Sequence, residues 1–282
     1  MKNHREWKAL LAVSLVFSAF VSPSRAQLPG LNEQPWIGYF AGYENARYRF
    51  GLSSVGRMTI TPMAGRDQAV SPFLAVDVHV GILETLPDGK TVMKELKVET
   101  LECADPATDE LEKTVVRGKV TGDAAFEVTI EQARGVMSMS GKLLEPGTLK
   151  NPLKFVIRAV FPSVYRHANA DLKDKKAEKA FEKKIEDDEV NLKWTDGTRK
   201  KITNEKEVLV GTPDFNGPGI AEIEVEMASY KGRTFQFSAS EGSSMTVWNA
   251  KSALIHEGFR IEWSADPAKD KDGKARFTFQ VK

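Results

Sequence analysis

Cysteine is nearly missing from this chain: Cys103 is the only one among 282 residues. One thiol closes no disulfide within the chain, so stability has to come from packing. Within CADPATDE, Cys103 reads as a small buried side chain where a strand ends and a turn begins. Histidine is almost as scarce. His79, His167 and His256 follow residue 26, and none stands at metal-ligand spacing from another histidine or from Cys103. No GxSxG elbow, SxxK pair, GxGxxG turn or phosphate loop occurs, and no segment resembles a functional family. These absences exclude the motif-bearing nucleophilic hydrolases and nucleotide enzymes, and no cofactor is expected.

An excess of either charge is also lacking. Lysine and arginine number 40 against 39 aspartates and glutamates, a net of +1. Such a balance gives no electrostatic footprint for nucleic acid or an anionic membrane. Long apolar runs are missing too, apart from ALLAVSLVFSAFV at 9–21, which is too short to span a bilayer. It follows the basic MKNHREWK and precedes SPSRA, the order of a secretory signal peptide cut after Ala26. No cysteine stands directly after it, so no lipid anchor is expected. The expected residence is a bacterial periplasm or the cell exterior, with no integral membrane segment after cleavage. The leader holds Lys2, Arg5, Lys8 and Arg25 against Glu6, so its loss shifts the net charge from +1 to about −2.

What the chain does have is period-two alternation, the mark of half-buried strands. In AEIEVEM, Ala221, Ile223, Val225 and Met227 share one face, while Glu222, Glu224 and Glu226 share the other. FEVTI from Phe126, FRIEW from Phe259, RFTFQVK from Arg276 and VDVHVGI from Val76 alternate likewise. LKFVIRAVF from Leu153 is apolar on both faces except at Lys154 and Arg158, as a central strand covered on both sides would be. Turn signals at 86–90, 120–124, 195–198 and 230–234 space about fifteen candidate strands at hairpin distance. The expected fold is mainly β, with antiparallel sandwich or open-barrel regions, two in number. They run over 36–166 and 189–282, after a lead-in at 27–35. NADLKDKKAEKAFEKKIEDDE carries a narrow apolar stripe (Leu172, Ala177, Phe181, Ile185) amid i,i+3 ion pairs, which predicts a charged amphipathic helix connecting them over 167–188.

WIGYFAGYENARYRFGL, from Trp36 to Leu52, holds six aromatic residues and reads as the first hairpin of the sheet. Alternation places Trp36 and Phe40 in the core with Tyr48 and Phe50. Tyr39, Tyr43, Arg47 and Arg49 fall on the outer face. Tyrosines beside arginines can stack a sugar ring and hydrogen-bond its hydroxyls, or satisfy one another with no ligand. They are the candidate ligand residues. The glutamates of 222–226 fit a solvated strand face neutralised by a lysine-bearing neighbour. Asp266, Asp270 and Asp272 echo part of a calcium loop, but Phe279 stands where the bidentate glutamate belongs, so no metal site is expected. The function expected is that of a non-enzymatic exported protein binding a glycan or an envelope protein. The alternative is a secreted hydrolase whose carboxylates converge only in the fold.

Overall fold

The computed structural model describes residues 27–162, 188–203, 217–248, 259–270 and 273–282. The expected signal peptide and connecting helix lie outside the described residues, apart from Asp188, as do His167, His256 and Asp272. The chain opens with β1 (Tyr39–Glu44), β2 (Tyr48–Ser53) and β3 (Met58–Gly65), and the short β4 (Gln68–Ala69) folds back on β3. A 3-10 turn at Pro72–Leu74 leads to β5 (Val76–Thr85), β6 (Thr91–Met93), β7 (Leu96–Cys103), β8 (Lys113–Val120), β9 (Ala125–Ala133), β10 (Val136–Glu145) and β11 (Leu153–Val160). The remainder supplies β12 (Glu189–Trp194), β13 (Arg199–Thr203), β14 (Ile220–Glu226), β15 (Thr234–Ala239), β16 (Ser243–Trp248), β17 (Arg260–Ala265) and β18 (Phe277–Val281).

The strand ladders are antiparallel, and the sheet curls into a half-barrel. One run pairs in the order β1–β2–β3–β5–β11–β17–β16. The other pairs in the order β13–β12–β14–β15–β18–β10–β9–β8–β7. Among the described residues, one ladder pair, Ile220 with Met245, joins strands of the two runs, and an isolated bridge ties Ala41 of β1 to Thr108 in the β7–β8 connection. Both runs therefore take strands from either side of 167–188, and the two expected regions do not form separate sheets. Hairpin alternation identifies strands, but it carries no information on which distant strands pair.

The turns form where the sequence signals them. Gly89, Gly122, Gly197 and Gly232 adopt positive φ within the four predicted segments. Their strands close over one apolar cluster in which Phe126 meets Phe155, Phe50 meets Phe279 and Trp263 meets Phe277. β11 is the central strand predicted, lying between β5 and β17. Phe155 and Ile157 are buried on one face and Val156 on the other.

Candidate functional site

Residues opposite each other in a ladder lie on the same side of the sheet. In the first run, Ala41, Tyr43, Phe50, Ile60, Val78, Ala159, Ile261 and Val247 fall on the core side. The other side is a polar band. One row crosses Gly51, Thr59, Asp77, Val160, Arg260 and Trp248, and the next crosses His79, Arg158, Glu262 and Thr246.

Aromatic rings stand at both ends of this band. At one end Trp36 lies over Gly42 and Tyr39 over Gly51, each so close that a Cβ on the glycine would overlap the ring. The two rings meet edge to face at 5.9 Å, and the Arg49 guanidinium lies 5.4 Å from the Trp36 ring centre. Glu44 accepts from Arg49 Nε. At the far end the Arg158 guanidinium lies 5.0 Å from the Trp248 ring centre. The ends lie on the outermost of seven strands, six spacings apart, roughly 29 Å along the sheet at about 4.8 Å each.

Between the rings, donors and acceptors are already arranged. Arg57 donates to Asp77 Oδ1 through Nε at 3.1 Å and Nη2 at 2.8 Å. Arg158 does the same to Glu262 Oε2, at 3.2 and 2.6 Å. His79 sits between these pairs, exposed, with no hydrogen bond among the described residues. Desolvation pushes its pKa below the ordinary histidine value; Arg158 and Arg57 reinforce the shift and Asp77 opposes it. The ring is therefore neutral at pH 7, with one nitrogen to donate and one to accept. The Thr246 hydroxyl on this side is buried and without a partner among the described residues.

The four expected ligand residues do not share one face. Tyr39 and Arg49 belong to the polar side, but Tyr43 opposes Phe50 on the core side and packs 5.7 Å from Tyr48. Arg47 lies exposed in the turn before β2. Phe40 is buried in the core, as expected; Trp36 is buried too, at 6% exposure, but on the opposite side of the sheet, against Gly42 and Arg49. The cause is a register shift between Tyr39 and Ala41, which carries Phe40 inward and ends strict alternation. Arg57, Asp77, Glu262 and Trp248 carry no distinguishing signal in the sequence. His79 and Arg158 do break apolar runs in their strands, and that was the available signal.

The other sequence candidates are accounted for locally. Asp266 Oδ1 accepts from the Ala268 N–H and Asp270 Oδ1 from those of Lys274 and Ala275, so both shape the turn. Among the described residues no group of three histidine, cysteine, aspartate or glutamate side chains is placed to hold a metal. Glu222 opposes Lys193 and Glu224 receives Lys282 Nζ at 2.9 Å, as expected for a solvated face with a lysine-bearing neighbour, while Glu226 opposes Glu189. Cys103 is half-buried at the end of β7, with Sγ 3.1 Å from Thr114 Oγ1. No helix among the described residues is long and apolar enough to cross a membrane.

No protein-family model matches the chain, and no curated protein does. Among solved structures it is similar to an α-N-acetylgalactosaminidase from Bifidobacterium bifidum in complex with GalNAc, at 11% identity and a TM-score of 0.49. That match covers 86% of this chain and 35% of the enzyme, so the chain spans about a third of its length. A protein of Synechocystis sp. PCC 6803 matches at 10% identity and TM-score 0.46, over 90% of this chain and 99% of that one. A galactose mutarotase-like protein from Lactobacillus casei ATCC 334 matches at 10% identity and TM-score 0.45, over 86% and 98%. Likeness of this degree assigns neither family nor function.

Proposed function

We propose that the protein is an exported, non-enzymatic glycan-binding protein of the cell envelope or extracellular space, and that the polar face of the first run is its glycan site. One observation carries the reading: a band of fixed donors and acceptors flanked by half-exposed aromatic rings, Tyr39 at one end, backed by the buried Trp36, and Trp248 at the other. A saccharide offers apolar ring faces and in-plane hydroxyls. Aromatic faces suit the first, and Arg–carboxylate pairs with a neutral histidine suit the second. Both arginines are already paired, so little charge is left to select an anion.

The test is a thermal-shift screen of the chain from Gln27 against neutral soluble glycans and cell-wall fragments. A ligand at about 100 times its Kd adds roughly 2.7 kcal/mol to the folded state. Trp248→Ala and Tyr39→Ala should lose the shift while keeping the fold. No shift across the panel would refute the reading.

The hydrolase alternative draws on Asp77, His79 and Glu262 sharing this face from distant parts of the chain. Both carboxylates accept from arginines, which suits holding a ligand better than exchanging protons; His79 is the group that supports catalysis. Release of reducing sugar from a bound glycan, abolished by His79→Gln, would favour that alternative.

A further inference from the structure

Apart from the polar face, a cleft of about 620 Å³ opens at the tip of the β1–β2 hairpin. Trp36, Tyr43, Asn45, Arg66, Asp67 and Asp109 are among the residues that line it. Its walls are fixed by long-range bonds. Arg233 donates to the Met63 carbonyl at 2.9 Å and to the Ala46 carbonyl at 3.3 Å, while the Met63 N–H donates to the Arg47 carbonyl at 2.8 Å. Tyr48 donates to the Gly135 carbonyl at 3.1 Å, and Asn45 Nδ2 donates to the Tyr43 hydroxyl at 3.2 Å. On the opposite wall Glu44 Oε1 accepts from the Asp67 N–H at 2.9 Å, which holds that residue at a φ of 57°.

Within this frame the exposed Arg66, Asp67 and Asp109 side chains meet solvent and make no hydrogen bond or ion pair among the described residues. Glu44, by contrast, is held by Arg49 and by the Asp67 amide. The cleft thus presents one guanidinium and two carboxylates, uncommitted, beside aromatic edges. A guanidinium grips a carboxylate in a bidentate fork, and carboxylates take an ammonium's three donors. A neutral sugar would leave all three charges unmatched, and a simple anion or cation would meet charge of its own sign. We propose that this cleft binds a group bearing both an ammonium and a carboxylate, with Arg66 on the carboxylate and Asp67 and Asp109 on the ammonium. Beside a saccharide face, an extension that does rest on that reading, such a cleft fits a glycan carrying amino-acid substituents.

The test uses probes that contain no sugar, so it stands or fails apart from the saccharide reading. Alanine (both enantiomers), acetate and methylamine are titrated into the 15N-labelled chain from Gln27, following the amides of Asn45, Asp67 and Asp109. At least one alanine enantiomer should saturate at a concentration at least tenfold below either single-charge probe. Arg66→Gln should reduce that response to the level of methylamine, and Asp67→Asn with Asp109→Asn to that of acetate. Spectra unchanged elsewhere would show that the variants are folded. Equal responses to all probes, no response, or variants that respond like the wild type would overturn the proposal.

Discussion

Gly42 and Arg158 set the two ends of the polar face at the level of single residues. A methyl group at Gly42 would collide with the Trp36 ring, so Gly42→Ala should expel that ring. The expected cost is about 1–3 kcal/mol, as overpacking commonly gives, with a red shift in tryptophan emission and loss of glycan binding. Unchanged emission would contradict the placement of Trp36. Arg158 serves Glu262 and covers Trp248. Its replacement by alanine leaves a mostly buried carboxylate without its cation and should cost about 1–3 kcal/mol in denaturant melts. His79 governs a pH window. Its folded pKa lies below the unfolded value, so the unfolded chain binds the extra proton. The histidine's contribution is complete above about pH 6.5 and is lost as pH falls from there toward the folded value. His79→Gln should flatten that limb of the stability curve. It should leave untouched the more acidic limb from Glu84, Glu127 and Glu131, which Lys94, Arg117 and Lys113 hold low.

Individual elements were the most legible level of the sequence. β5, β9, β14, β17 and β18 sit where alternation placed them, because half-buried strands show their inner face directly as every second residue. β11 was legible for another reason, its double-sided apolar character. Ile157 is fully buried at its centre, and Ile157→Ala should cost about 2–5 kcal/mol by chemical denaturation. The first hairpin is where the reading failed. A bulge at Phe40 is a property of pairing, and no residue type near it announces an extra residue in one strand. Tyr39 and Arg49 were therefore placed correctly, while Tyr43 and Trp36 exchanged sides.

The polar face exists only in the whole molecule. His79, Arg158 and Glu262 are neighbours because β5, β11 and β17 pair across nearly two hundred residues, and nothing local in the sequence records that pairing. The same interleaving bears on folding. β10 needs β18 and β11 needs β17, so residues 36–166 alone should not fold, and the chain from Gln27 should unfold in one transition by circular dichroism and tryptophan fluorescence alike. The central claim, that the polar face is the glycan site, is tested most directly by amide hydrogen exchange with and without the strongest glycan found in the thermal screen. Protection confined to residues 77–81, 156–160 and 260–264, with the ends at Tyr39 and Trp248, is the predicted footprint. Protection that leaves those strands unchanged and appears elsewhere on the molecule would contradict it.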